Sequence, residues 1–203
     1  MNLCLIIAGV MNAIKHTIKE AAWSITIIIA IQLAMGFVQS SEWYKLESKE
    51  FGFKVSFPEK PKIKIWTVDP KLDIFYQINA YICITKDKKD DNLDYFVFYT
   101  EYPDSIYNSD NINKDTLQNL YRNAINREVR VIQGKILSER TVNLKGYIGR
   151  EIRSISNDSL WVLNARFFLA KNNFYIIETI THTEKDFNPS INHFFDSFDF
   201  LDL

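Results

Sequence analysis

The chain has 203 residues with 24 Lys and Arg against 25 Asp and Glu, a formal net charge of −1. With lysines interleaved among acids and no basic stripe, this excludes a duplex nucleic-acid or polyanion binder that works by counterion release. Of the two cysteines, only Cys83 lies beyond residue 40, so an exported form holds no intramolecular disulfide and depends on packing of its abundant Phe, Tyr and Ile.

Lys15 and Lys19 precede an apolar run, Ala21 to Val38, that gives way between Gly36 and Trp43 to an alternating, β-rich sequence. Val38 and Ser40 are small enough for the −3 and −1 positions of a signal-peptidase site cutting before Ser41. At about 18 residues the run also reaches the lower limit for an uncleaved membrane anchor. Residues 1–40 are therefore expected to be a signal peptide or N-terminal anchor, with the lysines predicting export of the C-terminal domain. Met11 is an equally good start, and Cys4 lacks a small-residue lipobox. Residues 41–203 are expected to form one domain, long enough for a single core.

Phe51 to Phe57 alternates apolar and polar residues before Pro58 and Pro61 end it, the pattern of a half-buried strand. Ile63 to Val68 continues as an edge strand, and Ile74, Tyr76, Ile78, Ala80 and Ile82 mark one face of a long strand whose partner is Tyr95 to Tyr102. Lys86 to Asn92 between them reads as a solvated loop. Its aspartates lack the glycine turn and terminal Glu of an EF-hand, so a metal is not expected there. Cys83 falls within an apolar strand pattern, where a thiol behaves as a small hydrophobe.

From Asn113 the period becomes helical: Leu117, Leu120, Tyr121, Ala124, Ile125 and Ile132 share one face, Asn113 is the N-cap and Gly134 lies near the end. Packing of that face on a sheet is the ordinary reading; a partner-binding groove helix is the alternative. Strands come next at Lys135 to Leu144, Tyr147 to Ile155, Leu160 to Ala170 and Phe174 to His182. Asn188-Pro189 then opens a helix that turns Ile191, Phe194, Phe195 and Phe198 to the core. The fold class is α+β: an antiparallel sheet of about six or more strands with helices packed on it.

Two-residue turns at Asn157-Asp158 and Asn172-Asn173 fix a register by counting. Arg166 then falls opposite Gly149 and Thr179, with Glu151 diagonally adjacent and Gly149 leaving room for the guanidinium. On the other face Arg150 lies beside Ala165 and one strand from Glu178. Glu151, Arg166, Arg150 and Glu178 are thus candidates for structural ion pairs, with a catalytic or ligand role as the alternative.

The order of Tyr44-Lys-Leu, Phe51-Gly-Phe-Lys-Val-Ser-Phe-Pro-Glu-Lys-Pro, Gly149-Arg-Glu, Ala165-Arg-Phe-Phe-Leu and Phe194-Phe-Asp-Ser-Phe resembles bacterial secreted proteins of the PsbP and Ran-binding Mog superfamily, over nearly all of residues 43–203. The resemblance implies an α/β/α sandwich and accessory or binding roles. It transfers no functional residue, since the matching positions are mainly those of the fold.

No catalytic, cofactor or metal residue is expected. His182 and His193 have no metal-ligand spacing, and no phosphate loop or nucleophile elbow is present. Tyr95, Tyr99, Tyr102 and Tyr107 offer either a stacking surface for carbohydrate or peptide, or ordinary strand filler. The expected function is a non-catalytic exported binding or accessory domain, periplasmic or extracellular, whose partner is another protein. Membrane contact is expected only through residues 21–38 if these are retained. A membrane-anchored envelope-assembly component and an exported enzyme are the alternatives.

Overall fold

A computed structural model describes residues 42–67, 77–85 and 90–201. The expected leader, residues 68–76 and most of the Lys86 to Asn92 loop lie outside them.

Among the described residues ten strands and two α-helices run in chain order: β1 (Tyr44–Ser48), β2 (Phe53–Phe57), β3 (Lys62–Thr67), β4 (Gln77–Ile84), β5 (Asn92–Glu101), α1 (Lys114–Val131), β6 (Gly134–Leu144), β7 (Tyr147–Ser156), β8 (Trp161–Ala170), β9 (Asn173–His182), α2 (Pro189–Ser197) and β10 (Asp199–Phe200). Seven strands form one antiparallel sheet in the order β3-β4-β5-β9-β8-β7-β6, and β1-β2-β10 form a second, small sheet. The α+β class is as expected. The separate small sheet is the main difference: the Phe51 to Phe57 segment belongs to it and not to the large sheet.

Asn113 caps α1, its side chain accepting from the Thr116 amide at 2.9 Å. Leu120, Tyr121, Ala124 and Ile125 then pack on Ile152, Leu163, Ala165, Phe167 and Ile176. On the other face, Phe53, Val55 and Phe57 of β2 and Ile191, Phe194 and Phe195 of α2 cover Tyr81, Cys83, Tyr95, Val97, Tyr175 and Ile177. Tyr81 and Cys83, rather than Ile78 and Ile82, are therefore the residues by which β4 enters a core. Asn188 caps α2 by accepting from the Ile191 amide at 3.2 Å. Its amide group also exchanges hydrogen bonds with Asn92 (2.8 and 3.1 Å), tying the helix to the start of β5.

The observed register differs from the counted one by two residues in each hairpin. Ala170 pairs with Asn173, so the turn is Lys171-Asn172, and Lys171 takes the positive φ of 52°. Between β7 and β8 the connection is longer, because Asp158 Oδ1 accepts from the Leu160 amide at 3.0 Å and Ser156 Oγ accepts from the Trp161 amide at 3.1 Å. A shift of two preserves every face, since strand side chains alternate with a period of two.

The Tyr121 hydroxyl reaches from α1 into the sheet, donating to the Ile148 carbonyl at 2.7 Å and accepting from the Leu169 amide at 3.1 Å. It satisfies one backbone group of β7 and one of β8 beyond the last residues the two strands pair, Arg150 and Phe167. Burial, the larger cause, pushes the phenol up to about 12, so it remains a donor at any physiological pH. Tyr121→Phe is expected to keep the fold and cost about 1–3 kcal/mol by leaving both backbone groups unpaired. Urea denaturation measures this; a loss below about 0.5 kcal/mol, the range of neutral surface changes, would show the bridge to be dispensable.

Candidate functional site

The four charged candidates separate into different settings. Arg166 lies directly opposite Glu151, with Nε 2.6 Å from Oε2. Glu151 Oε1 accepts from Arg140 Nε, also at 2.6 Å. The Arg166 guanidinium also donates to the Phe195 carbonyl at 3.2 Å and lies over the Phe195 ring at 4.8 Å. It therefore fastens the last turn of α2, whose carbonyls favour a cation, to the sheet. Gly149 does not make room for this side chain: a Cβ there would meet the Phe167 carbonyl at 2.3 Å and the Phe168 ring at 2.5 Å. The glycine admits the neighbouring strand and its aromatic ring.

Arg150 and Glu178 share a face but do not pair. Register places Arg150 opposite Phe167 and Glu178 opposite Ala165. Arg150 turns outward to Thr141 Oγ1 at 2.6 Å and Gln118 Oε1 at 2.5 Å. Glu178 instead lies beneath α1 at 3% exposure, with Oε2 lacking any hydrogen bond. Burial, followed by the charge of nearby Glu128, holds its carboxyl well above the usual range; Asp94 adds to this and Arg127 opposes it. Arg127 is committed to Glu128, with Nε 2.9 Å from Oε1. Glu128 lies four residues after Ala124 and three after Ile125, on the face that helical periodicity turns to the sheet, but its charge keeps it off the apolar pattern.

His182 stacks on Trp161 at 4.3 Å and His193 meets Trp43 edge-on at 4.3 Å. Cys83 is buried, which raises its thiol above the ordinary range. Among the described residues no group of three or more His, Cys, Asp or Glu is placed to hold a metal.

The arrangement best suited to recognition lies beyond the edge of the small sheet. Glu50 and Phe51 from the β1–β2 turn, Ile63 and Ile65 of β3, Asn79 and Tyr81 of β4, and Tyr99, Glu101, Tyr102 and Asp104 at the end of β5 line an open cleft of about 850 Å³. Phe51 stacks on Tyr99 at 4.5 Å and meets Tyr81 at 6.3 Å, forming an aromatic wall. Ile63 and Ile65 are 59% and 60% exposed. Burial, then the charges of Glu101 and Glu50, pushes the Tyr99 phenol up to about 12. Burial and Glu50 likewise raise Tyr81, against the lowering hydrogen bond from Ser48. The two glutamates thus project their fields onto the same wall. No Lys or Arg is among the described lining residues.

Of the four tyrosines singled out by sequence, Tyr99 and Tyr102 line this cleft. Tyr95 is fully buried, donating to Asp90 Oδ1 at 2.5 Å, and Tyr107 packs edge-on against Tyr102 at 4.8 Å. A second cavity of about 560 Å³ lies at the C-terminal end of α1 among Leu93, Val131, Ile132, Trp161 and Ile180, with more apolar walls.

Together these features define an α+β domain whose large sheet is covered unequally on its two faces. Among solved structures, the solution structure of cyanobacterial PsbP (CyanoP) from Synechocystis sp. PCC 6803 is similar, with a TM-score of 0.50 and 13% identity over 81% of this chain and 95% of that one. The fold is therefore PsbP-like. No family model and no curated protein matches the sequence.

Replacement of the buried carboxyl at Glu178 is expected to change the pH profile of stability. Because the folded carboxyl titrates above the unfolded value of about 4.3, the native state retains a proton that the unfolded state has lost, and stability falls as pH rises through that window. Glu178→Gln lacks this penalty and should gain stability on the parent as pH rises above about 4.3, with no gain below it. Denaturant midpoints across that range measure the gain; parallel profiles would refute it.

Proposed function

We propose that this chain is a non-catalytic exported binding or accessory domain whose partner is another protein. The observation that carries this reading is the open aromatic and acidic cleft, a surface suited to holding a partner. Elsewhere the conspicuous charged and aromatic groups serve the fold: Arg166 fastens α2, Arg150 joins β6 to α1, and both histidines pack on tryptophans. The sequence resemblance to the PsbP and Mog superfamily supports an accessory role, and the basic-then-apolar pattern of residues 15–38 supports export. That same apolar run favours a second reading, a membrane-anchored assembly component.

Fractionation with intact-mass analysis, followed by crosslinking in intact cells, tests these readings. A soluble exported product beginning near Ser41 and crosslinked to a discrete protein is the expected result. A membrane-bound product retaining Ala21 to Val38 would favour the anchored reading. A full-length cytosolic product would overturn export, and robust turnover on common hydrolase substrates would overturn the binding role.

A further inference from the structure

We infer that the cleft bounded by Glu50, Glu101 and Asp104 receives a lysine or arginine side chain from an extended segment of the protein partner, an inference that rests on the binding reading above. Charge is the first argument. Glu50 and Glu101 make no ion pair with a described residue, and Asp104 only accepts from Asn108 Nδ2 at 3.0 Å. Three carboxylates therefore meet at one concavity without a compensating cation among the described residues. The wall between them is Phe51, Tyr81 and Tyr99; the two tyrosines are buried at 4% exposure, and the partly exposed Phe51 ring is the one open to an ammonium or guanidinium group.

Asn79 supplies a separate argument. It is only 7% exposed and lines the cleft, yet its side chain makes no hydrogen bond with the described residues. Its amide atoms are not among the buried groups left unpaired, so they reach the cleft's solvent, and a group that fills the cleft takes the place of that water. Both a backbone carbonyl or amide and a guanidinium or ammonium can meet its donor and acceptor groups.

The neighbouring strand argues for an extended segment over a free small cation. Among the described residues β3 is the last strand of the large sheet, so one of its edges presents unpaired backbone groups. Its alternation sends Ile63 and Ile65 toward the cleft, while Lys62 and Lys64 share the other face with Ala80 and Ile82. A strand laid along β3 gains main-chain hydrogen bonds, with alternate side chains entering the cleft. The exposed isoleucines accept its apolar residues and the carboxylates its basic one.

Fluorescence anisotropy of the purified full chain tests the inference with labelled twelve-residue peptides of alternating Val and Arg, Val and Gln, or Val and Glu. The Arg peptide is expected to bind on the order of tenfold tighter than the Gln peptide, with the Glu peptide weaker still, and to weaken as salt rises. The triple variant Glu50→Gln, Glu101→Gln, Asp104→Asn should lose that preference. All three residues are exposed, and Glu101→Lys alone, checked for an unchanged denaturation midpoint, should do the same. Equal binding of the three peptides would overturn the inference. Arginine or spermidine binding as tightly as the Arg peptide would replace the segment with a small cation and overturn it too. Failure of every peptide, while the cellular crosslink persists, would reject the cationic occupant and leave the binding reading standing. Loss of the crosslink in intact cells would reject the binding reading itself.

Discussion

The structure depends on one constraint: the central strands β8 and β9 must be covered on both faces. Strands in that position lose the polar alternation of a half-solvated sheet, since each face needs an apolar partner. Leu163, Ala165, Phe167 and Ile176 turn one way, Phe168, Tyr175 and Ile177 the other, and all are buried. One amphipathic helix covers the first set. The second needs α2 and the small sheet together, which explains why β2 leaves the main sheet and why β10 returns to it at the end of the chain. Among the described residues the covering layer is narrower than seven strands. Where it stops, the outer part of β3 keeps Ile63 and Ile65 exposed, and the cleft is the step between the covered and uncovered parts of the same face.

Polar groups caught in this arrangement take two routes. On the α2 side Glu151 is shared by two arginines, and one of these also satisfies a helix carbonyl, so each charge has hydrogen-bonded partners and remains partly solvated. Such pairs orient elements more than they stabilise them. Under α1 the outcome is different. Glu178 meets the charge of another acid, and Arg127, which opposes it, is already bonded to that acid. Protonation is the inexpensive response for a carboxyl so placed.

Much of this architecture is legible in the sequence because local chemistry and periodicity act together. Asn113 and Asn188 mark both helix starts, and Ile191, Phe194, Phe195 and Phe198 are all buried. Counting along the hairpins places Arg166 and Glu151 on a common face. Its error of two residues comes from turn chemistry: Ser156 and Asp158 build a longer connection than a two-residue turn, and the positive φ falls on Lys171 instead of an asparagine. What stays illegible depends on distant packing. The place of Phe53, Val55 and Phe57 in a separate sheet is decided by β10, which lies at the other end of the domain. The meeting of Glu128 with Glu178 depends on how α1 is placed over β9, and the Gly149 site on how closely β8 approaches.

The cleft is invisible in the sequence for a related reason. Glu50 precedes the β2 strand, Glu101 ends β5 and Asp104 comes after it, so no run of acids marks the site, and a net charge of −1 gives no hint of it. Net charge governs solubility and long-range steering, whereas recognition responds to the local field over distances shorter than a Debye length of about 8 Å. Antiparallel pairing brings the aromatic residues of β4 and β5 beside one another, and the β1–β2 turn supplies Phe51 and Glu50 from the adjoining layer. Among the described residues the narrowness of that layer therefore has two effects from one cause: it leaves a strand edge and two isoleucines uncovered, and it gathers carboxylates from separate segments around the aromatic wall.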